Sequence, residues 1–394
     1  MRVLLVNTSD NTGGAAVACH RLMEALTRNG VEVRMLVRDR GTGDSRITSV
    51  SAPWQKAVER VMLLPFVGFS WRCSWTIDTN WLGTDITQTE AFQWADVIHL
   101  HWVNQGFLSL SDIRRIVASG KRVVWTMHDL WPLSSIYHYN EADNTAQSSS
   151  RMLAWLERDT LRRKLKAYGN AGVHFVTCSR WLMHQVEDSL LLPGNSIVSI
   201  PNPIDTSLFN RTDKQDARKA LGVPEDAKVV LFVSQKLTDE RKGARYFVEA
   251  MRRIKDAFVL VLGSHGEEII SSVGVPGRSL GYVSDQKTIA LAYNSADVFV
   301  LPSLNDNLPN TIMEAMACGV PCVGFDIGGI PEMIDHMKNG IIASPRDAGQ
   351  LADGIRYCLD EANHQRLSDA CIEKVAEAYS QRSVAERFKE VYDG

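Results

Sequence analysis

The chain has no C-x-x-C pair. Its seven cysteines (Cys19, Cys73, Cys178, Cys318, Cys322, Cys358 and Cys371) are odd in number and scattered. That excludes a disulfide framework or a cysteine-based zinc site and points to reduced, mostly buried thiols in a cytosolic protein. No stretch reaches the roughly 18 uninterrupted apolar residues of a bilayer span. The run Val3–Val6 after Met1-Arg2 is too short for a secretory leader. A cytoplasmic protein that is not exported and does not cross a bilayer by itself is therefore expected. Charge of one sign is scarce: the net charge is −3, too small for a whole-molecule nucleic-acid footprint. The glycine turn after the first strand is not a G-x-G-x-x-G fingerprint, and Val33–Arg38 has no acidic residue ending the second strand. A nicotinamide dinucleotide site is thus disfavoured. No D-x-D pair is placed for a divalent ion. Tryptophan is missing from the second half, all ten lying at or before Trp181.

What is present describes an ordinary globular protein, 45% hydrophobic and 23% charged. At 394 residues the chain is too long for one core and suits two α/β domains. Residues 1–205 carry +2 and residues 206–394 carry −5, a weak hint of an anionic acceptor or membrane surface for the first half. Residues 1–40 read strand, loop, helix, strand, with Gly13-Gly14 at the first strand–helix turn. Such a pair is also what any tight turn uses.

The stretch Pro302–Pro321, PSLNDNLPNTIMEAMACGVP, organises the rest. An apolar strand, Asp297–Leu301, is stopped by Pro302. A polar turn follows, then a helix opening near Thr311 and ended by Gly319 and Pro321. A loop entering a helix at a strand's carboxyl end presents backbone N–H groups, a ready anion site. Asp306 and Glu314 frame the helix start eight residues apart. Thr311 and Glu314 also have the spacing of a capping box, so both readings stay open on the pattern alone.

This stretch resembles the carboxylate–x7–carboxylate signature of retaining, GT-B-fold glycosyltransferases of family 4. Asp306 stands where a glutamate is usual and Asn307-Leu308 where Gly-Phe is usual; Pro309, Asn310, Glu314-Ala-Met-Ala-Cys-Gly319 and Pro321 match closely. The resemblance implies that Glu314 accepts hydrogen bonds from the ribose of a nucleotide-sugar donor. It places the Leu308–Thr311 amides, with Asn310, on donor phosphate or sugar oxygens and Asp306 by the donor sugar. Gly13 and Gly14 would face the donor.

Other segments extend it. DVIHLHW…VVWTMHDLWPLS is similar to a bacterial surface-polysaccharide branch of the family, which implies that His128 lies beside the donor sugar. That branch commonly continues with a glycine- and cysteine-bearing loop, whereas this chain has Ser134–Tyr139 and a polar stretch to Ser150. A lone histidine at a strand end is otherwise more often structural. The loop Ser234–Gly243 holds Lys236, Arg241 and Lys242. Loop charges are commonly just solvated, but the family puts an arginine and a lysine here on the donor diphosphate. Lys242 fits that lysine; Ser234-Gln235 stands where Gly-Arg is usual, so either Arg241 substitutes for the arginine or that role is lost. Ser279–Val283, with Tyr282, resembles the segment whose backbone reads the nucleobase. Pro201-Asn-Pro-Ile-Asp205 resembles the family's domain junction, followed by a linker near 205–225.

Two segments remain ambiguous. Residues 53–82 are rich in aromatics (Trp54, Phe66, Phe69, Trp71, Trp75, Trp81) with Lys56, Arg60 and Arg72 interspersed. They suit either the packing of a long insertion or a face for sugars or a membrane interface. Arg151–Tyr168 is amphipathic and basic, either a solvated helix or one resting on anionic lipid.

The expected architecture is α/β, GT-B: two Rossmann-like doubly wound domains facing each other across a cleft. Residues 1–205 form the acceptor domain, with 381–394 packing back on it; residues 206–380 form the nucleotide-sugar-binding domain. The expected activity is metal-independent, cofactor-free transfer of a hexosyl-type sugar, with retention, from a nucleoside-diphosphate sugar to a glycan or lipid-linked oligosaccharide in bacterial exopolysaccharide, capsule or O-antigen synthesis. Catalytic roles fall to His128, Lys242 and Asp306. Donor binding falls to Gly13, Gly14, Arg241, Tyr282, Leu308, Asn310, Thr311 and Glu314. Peripheral contact with the inner face of an anionic membrane is a further expectation, and no nucleic-acid partner is expected. The rival readings are a GT-B-type sugar-nucleotide epimerase and a non-catalytic nucleotide-sugar binding protein.

Overall fold

The computed structural model describes residues 1–50, 53–139, 151–236 and 239–394. The polar stretch of residues 140–150, two residues of the basic loop (Leu237 and Thr238) and the Lys236 side chain lie outside the described residues. The chain divides into two units, Met1–Asn202 with Val384–Gly394, and Pro203–Ser383.

Unit 1 is built on seven parallel strands: β1 (Arg2–Ser9), β2 (Glu32–Asp39), β3 (Ile47–Ser49), β4 (Val97–Leu100), β5 (Arg122–Met127), β6 (His174–Thr177) and β7 (Ser196–Ser199). Their order is β3-β2-β1-β4-β5-β6-β7. Helices cover both faces, so the central strands are near-continuous apolar runs; Val3–Val6 and Val123–Trp125 are buried throughout. Gly13 caps the first helix, Gly14–Arg28, at φ +90°, a conformation that favours glycine.

The terminal helix Gln381–Asp393 contributes Val384, Ala385, Phe388 and Tyr392 to the core beneath β1 and β2. The Tyr392 hydroxyl meets His99 Nδ1 at 2.7 Å.

Unit 2 has six parallel strands: β8 (Val229–Lys236), β9 (Phe258–Ser264), β10 (Gly277–Ser279), β11 (Val298–Leu301), β12 (Cys322–Phe325) and β13 (Gly340–Ala343). Their order is β10-β9-β8-β11-β12-β13. The order reverses between β8 and β11, the switch point at which doubly wound sheets open a crevice at their carboxyl ends.

Two expectations are corrected. The supposed linker at 205–225 contains a helix, Lys214–Leu221, capped by Asp213 and by Gly222 at φ +60°. Arg218 ties it into unit 2 by bonding the Ser295 carbonyl at 3.0 Å and Asp297 at 2.7 Å. The helix Arg151–Tyr168 keeps Arg151, Arg158, Arg162 and Lys166 exposed, but not every cation of the pattern lies on that face. Leu153, Leu156 and Tyr168 are buried, and so is Lys164. The Lys164 ammonium lies 3.5 Å from the Trp131 ring centre and donates to the Trp131 and Ser134 carbonyls. Burial holds its pKa well below the ordinary lysine value.

Candidate active site

The switch point of unit 2 gathers most of the sequence-derived residues. After β8 a tight turn, Glu240–Lys242, is capped by Asp239 and closed by Gly243 at φ +68°. A Cβ on Gly243 would fall 1.8 Å from the Pro302 carbonyl oxygen, so only glycine lets this turn lie directly on the end of β11. The loop after β11 is stitched to it. Leu304 N–H donates to the Arg241 carbonyl at 2.7 Å, and the Ser303 hydroxyl to the same oxygen at 3.0 Å. From below, Gly328 at φ +61° packs on the Asp306 carbonyl, where a Cβ would come within 1.9 Å.

This scaffolding sets Lys242 against Asp306, with Nζ 2.9 Å from both carboxylate oxygens. Arg241 folds back on Asp239, its guanidinium 2.7 Å from Oδ2. Burial opposes the Asp239 charge, but the Arg241 hydrogen bonds and charge win and hold that carboxyl below its usual range.

The helix that follows runs Asn310–Ala317 with Pro309 at its N-cap. It begins one residue before Thr311, which puts Glu314 beyond the first turn. The capping-box reading therefore gives way. Glu314 is buried and accepts a 2.9 Å hydrogen bond from the Tyr293 hydroxyl. Tyr293 was missed, because nothing in a sequence joins residues 21 apart on different helices. Leu308 is buried, and Asn310 and Thr311 are half-buried at the helix start, where backbone N–H groups and the helix dipole favour an anion. Tyr282 follows β10 and is 61% exposed. Its neighbour Gly281, at φ +66°, accepts from the N–H of Gly263 at the end of β9.

Three sequence-derived residues lie in unit 1. Gly13 and Gly14 form the turn after β1, with open space where each Cβ would stand. His128 follows β5. Its Nε2 is 3.0 Å from His101 Nδ1, and its Nδ1 is 3.6 Å from Cys178 Sγ. Burial pushes His128 down to about 4, so the ring is neutral at ordinary pH. His101, beyond β4, is buried, and its Nε2 has no hydrogen-bond partner among the described residues.

Behind His128 lies a buried charge network that the sequence did not disclose. Trp102 Nε1–H donates to Asp129 at 2.9 Å. His138 bridges Asp129 at 2.7 Å and Asp78 at 2.8 Å. Arg60, fully buried, pairs with Asp78 and donates to the Ser74 and Ile77 carbonyls. Burial works against the His138 imidazolium, but the two carboxylates outweigh it and push His138 up to about 9. Neighbouring Glu59 is raised to about 7 by burial and by Asp78.

Two doubly wound units, with an anion-ready helix start at the switch point of the second, define the GT-B class of glycosyltransferase. A family profile described as Glycosyltransferase Family 4 matches residues 12–208, and one described as Glycosyl transferases group 1 matches residues 227–361. The chain belongs to glycosyltransferase family 4.

Among curated relatives, it is 23% identical over 305 residues to the N-acetyl-alpha-D-glucosaminyl L-malate synthase of Bacillus anthracis, covering 75% of this chain and 74% of that protein. It is 26% identical to the D-inositol 3-phosphate glycosyltransferase of Corynebacterium aurimucosum, covering 98% of this chain and 91% of that one. Among solved structures, HepE of Anabaena in complex with UDP-glucose superposes with a TM-score of 0.66 at 15% identity, covering 100% of this chain and 99% of that one.

Proposed function

We propose that the protein transfers a hexosyl-type sugar, with retention of anomeric configuration, from a nucleoside-diphosphate sugar. The observation that carries this reading is the convergence of Lys242, Asp306 and Glu314 at the β8/β11 switch point. Departure of a nucleoside diphosphate develops negative charge that must be neutralised. Lys242, Arg241 and the Asn310–Ala317 helix start supply positive charge there without a metal. Glu314, oriented by Tyr293, takes the ribose hydroxyls. Asp306 holds Lys242 until the diphosphate competes for the ammonium, which leaves the carboxylate at the sugar. In unit 1, Gly13-Gly14 and the neutral His128 are the proposed contacts to the donor sugar. The UDP-glucose complex of HepE supports a donor of this class.

For the acceptor, a glycan or lipid-linked oligosaccharide of a bacterial surface polysaccharide is the reading that fits the exposed aromatic segment of unit 1, since a membrane-borne acceptor requires work at a lipid surface. The relatives favour a second reading: their names specify malate and inositol 3-phosphate, small anionic acceptors. Incubation with a panel of UDP-, GDP-, ADP-, dTDP- and CMP-linked donors tests the donor assignment. One donor should stabilise the fold by about 2.7 kcal/mol at 100 times its Kd. Transfer to an acceptor, with activity surviving EDTA, is expected. An epimer formed from donor alone, or restoration of EDTA-lost activity by Mn²⁺ or Mg²⁺, would overturn it.

A further inference from the structure

The helix Pro53–Leu63 is inside out. Its charged residues Glu59 and Arg60 are fully buried, while Trp54 (59% exposed), Val58, Val61 (57%) and Met62 face solvent. These outward positions recur at helical spacing, so they form one apolar stripe. The inversion is enforced from beneath. Arg60 is clamped by Asp78 and by the Ser74 and Ile77 carbonyls, and Glu59 accepts the Trp81 N–H at 3.1 Å. The helix cannot roll its stripe inward without stripping buried charges of their partners.

The chain then turns through Gly68, at φ +62°, and displays Phe69 (75% exposed), Trp71 (52%) and Trp75. Phe66 stacks on Trp155 with centroids 6.3 Å apart, joining this face to the exposed start of the helix Arg151–Tyr168. From 53 to 76 the sole acidic residue is Glu59, which is buried; the charges left at the surface are the cations Lys56 and Arg72.

We propose that this face, from the Pro53–Leu63 helix through Thr76, is a docking surface for an anionic lipid bilayer. Apolar and indole side chains enter the headgroup boundary, and Lys56 and Arg72 meet lipid phosphates. An apolar stripe flanked by tryptophan and cations, with its one carboxylate withdrawn, complements an anionic interface more closely than a neutral protein groove. The buried network holding the stripe outward continues through Asp78 and His138 to Asp129, next to His128, so the docking element is rigidly joined to the end of β5. The inference deepens the lipid-surface part of the proposed function and does not depend on the donor site.

The test is flotation of the full chain with vesicles of phosphatidylglycerol and phosphatidylethanolamine, and with vesicles of phosphatidylcholine alone. The wild type should float with the anionic vesicles, with a blue shift in tryptophan emission. A Trp54→Ser, Val61→Ser, Phe69→Ser, Trp71→Ser variant should lose at least tenfold in partitioning. Lys56→Gln and Arg72→Gln should each lose about fivefold at low salt. The thermal midpoint and nucleoside-diphosphate affinity of these variants should match wild type, which separates lost docking from lost folding and from failure of the donor assignment. Equal flotation with both vesicle types, or no flotation, overturns the proposal. So does a concentration-dependent dimer abolished by the fourfold variant, which would make the occupant a second copy of this chain.

Discussion

In unit 2 the polar groups of the candidate site come, Tyr293 apart, from two short stretches, 239–243 and 306–314. In unit 1 the buried network draws on Arg60, Asp78, Trp102, Asp129 and His138, spread over nearly eighty residues. The first set lies at the open end of a sheet, and although Glu314 is buried, the Lys242–Asp306 pair keeps 31% and 17% of its side-chain surface. The second is sealed, with Arg60 at 0% and Asp78 at 1%. A half-exposed pair can exchange its partner for a ligand. A sealed pair cannot, because either charge left alone would face a desolvation cost of several kcal/mol. The same residue chemistry therefore serves ligand exchange in one unit and rigid placement in the other.

That contrast predicts different failures. Substitution in the sealed network should act on stability: Asp78→Asn is expected to destabilise unit 1 by about 3–5 kcal/mol while leaving nucleoside-diphosphate affinity intact, as read by denaturant titration and calorimetry. Substitution at the open site should act on function. Glu314→Gln should lower kcat/KM by roughly 100-fold or more, since two charge-assisted bonds contribute about 1.5–3 kcal/mol each; normal kinetics would remove Glu314 from donor binding.

The pH dependence sharpens the distinction. His138 titrates near 9 in the folded chain and near 6.5 when unfolded. Its contribution is therefore complete below about 6.5 and is lost as pH rises through 9, on the order of 3 kcal/mol. The wild type should lose thermal stability between pH 7 and 10, and His138→Gln should show a flatter profile across that window. The smallest contrast is between glycines. Gly243→Ala meets the Pro302 carbonyl as well as a left-handed φ, and Gly13→Ala meets φ strain alone. Each is expected to cost about 1–3 kcal/mol, with Gly243→Ala the larger and accompanied by weaker diphosphate binding.

How much of this was legible follows from range. The alternation of strands and helices was readable because buried parallel strands are continuous apolar runs; Arg122–Met127 and the helix Arg151–Tyr168 have the extents their patterns indicated. Arg241, Lys242, Asp306 and Glu314 were named through the resemblance to family 4, which their short, local stretches carry; the pattern alone left a capping box and a solvated loop open. Tyr293, His101, Asp78 and His138 could not, since their partners are far away in sequence and no periodicity marks them. Lys164 was misread for a related reason. A helical pattern shows which side carries charge, but not that Trp131 and two carbonyls wait to receive one of those charges inside. Residues 53–82 kept both of their readings open in the sequence; the burial of Glu59 and Arg60 shows only which way the helix Pro53–Leu63 faces.

The account rests on a diphosphate being held between the turn 239–243 and the start of the helix Asn310–Ala317. Calorimetric titration of the cognate donor's nucleoside diphosphate into wild type and Lys242→Ala tests this most directly. The account predicts saturable one-to-one binding that weakens at least tenfold in the variant. Equal affinity for the two proteins, or no binding to the wild type, would contradict it.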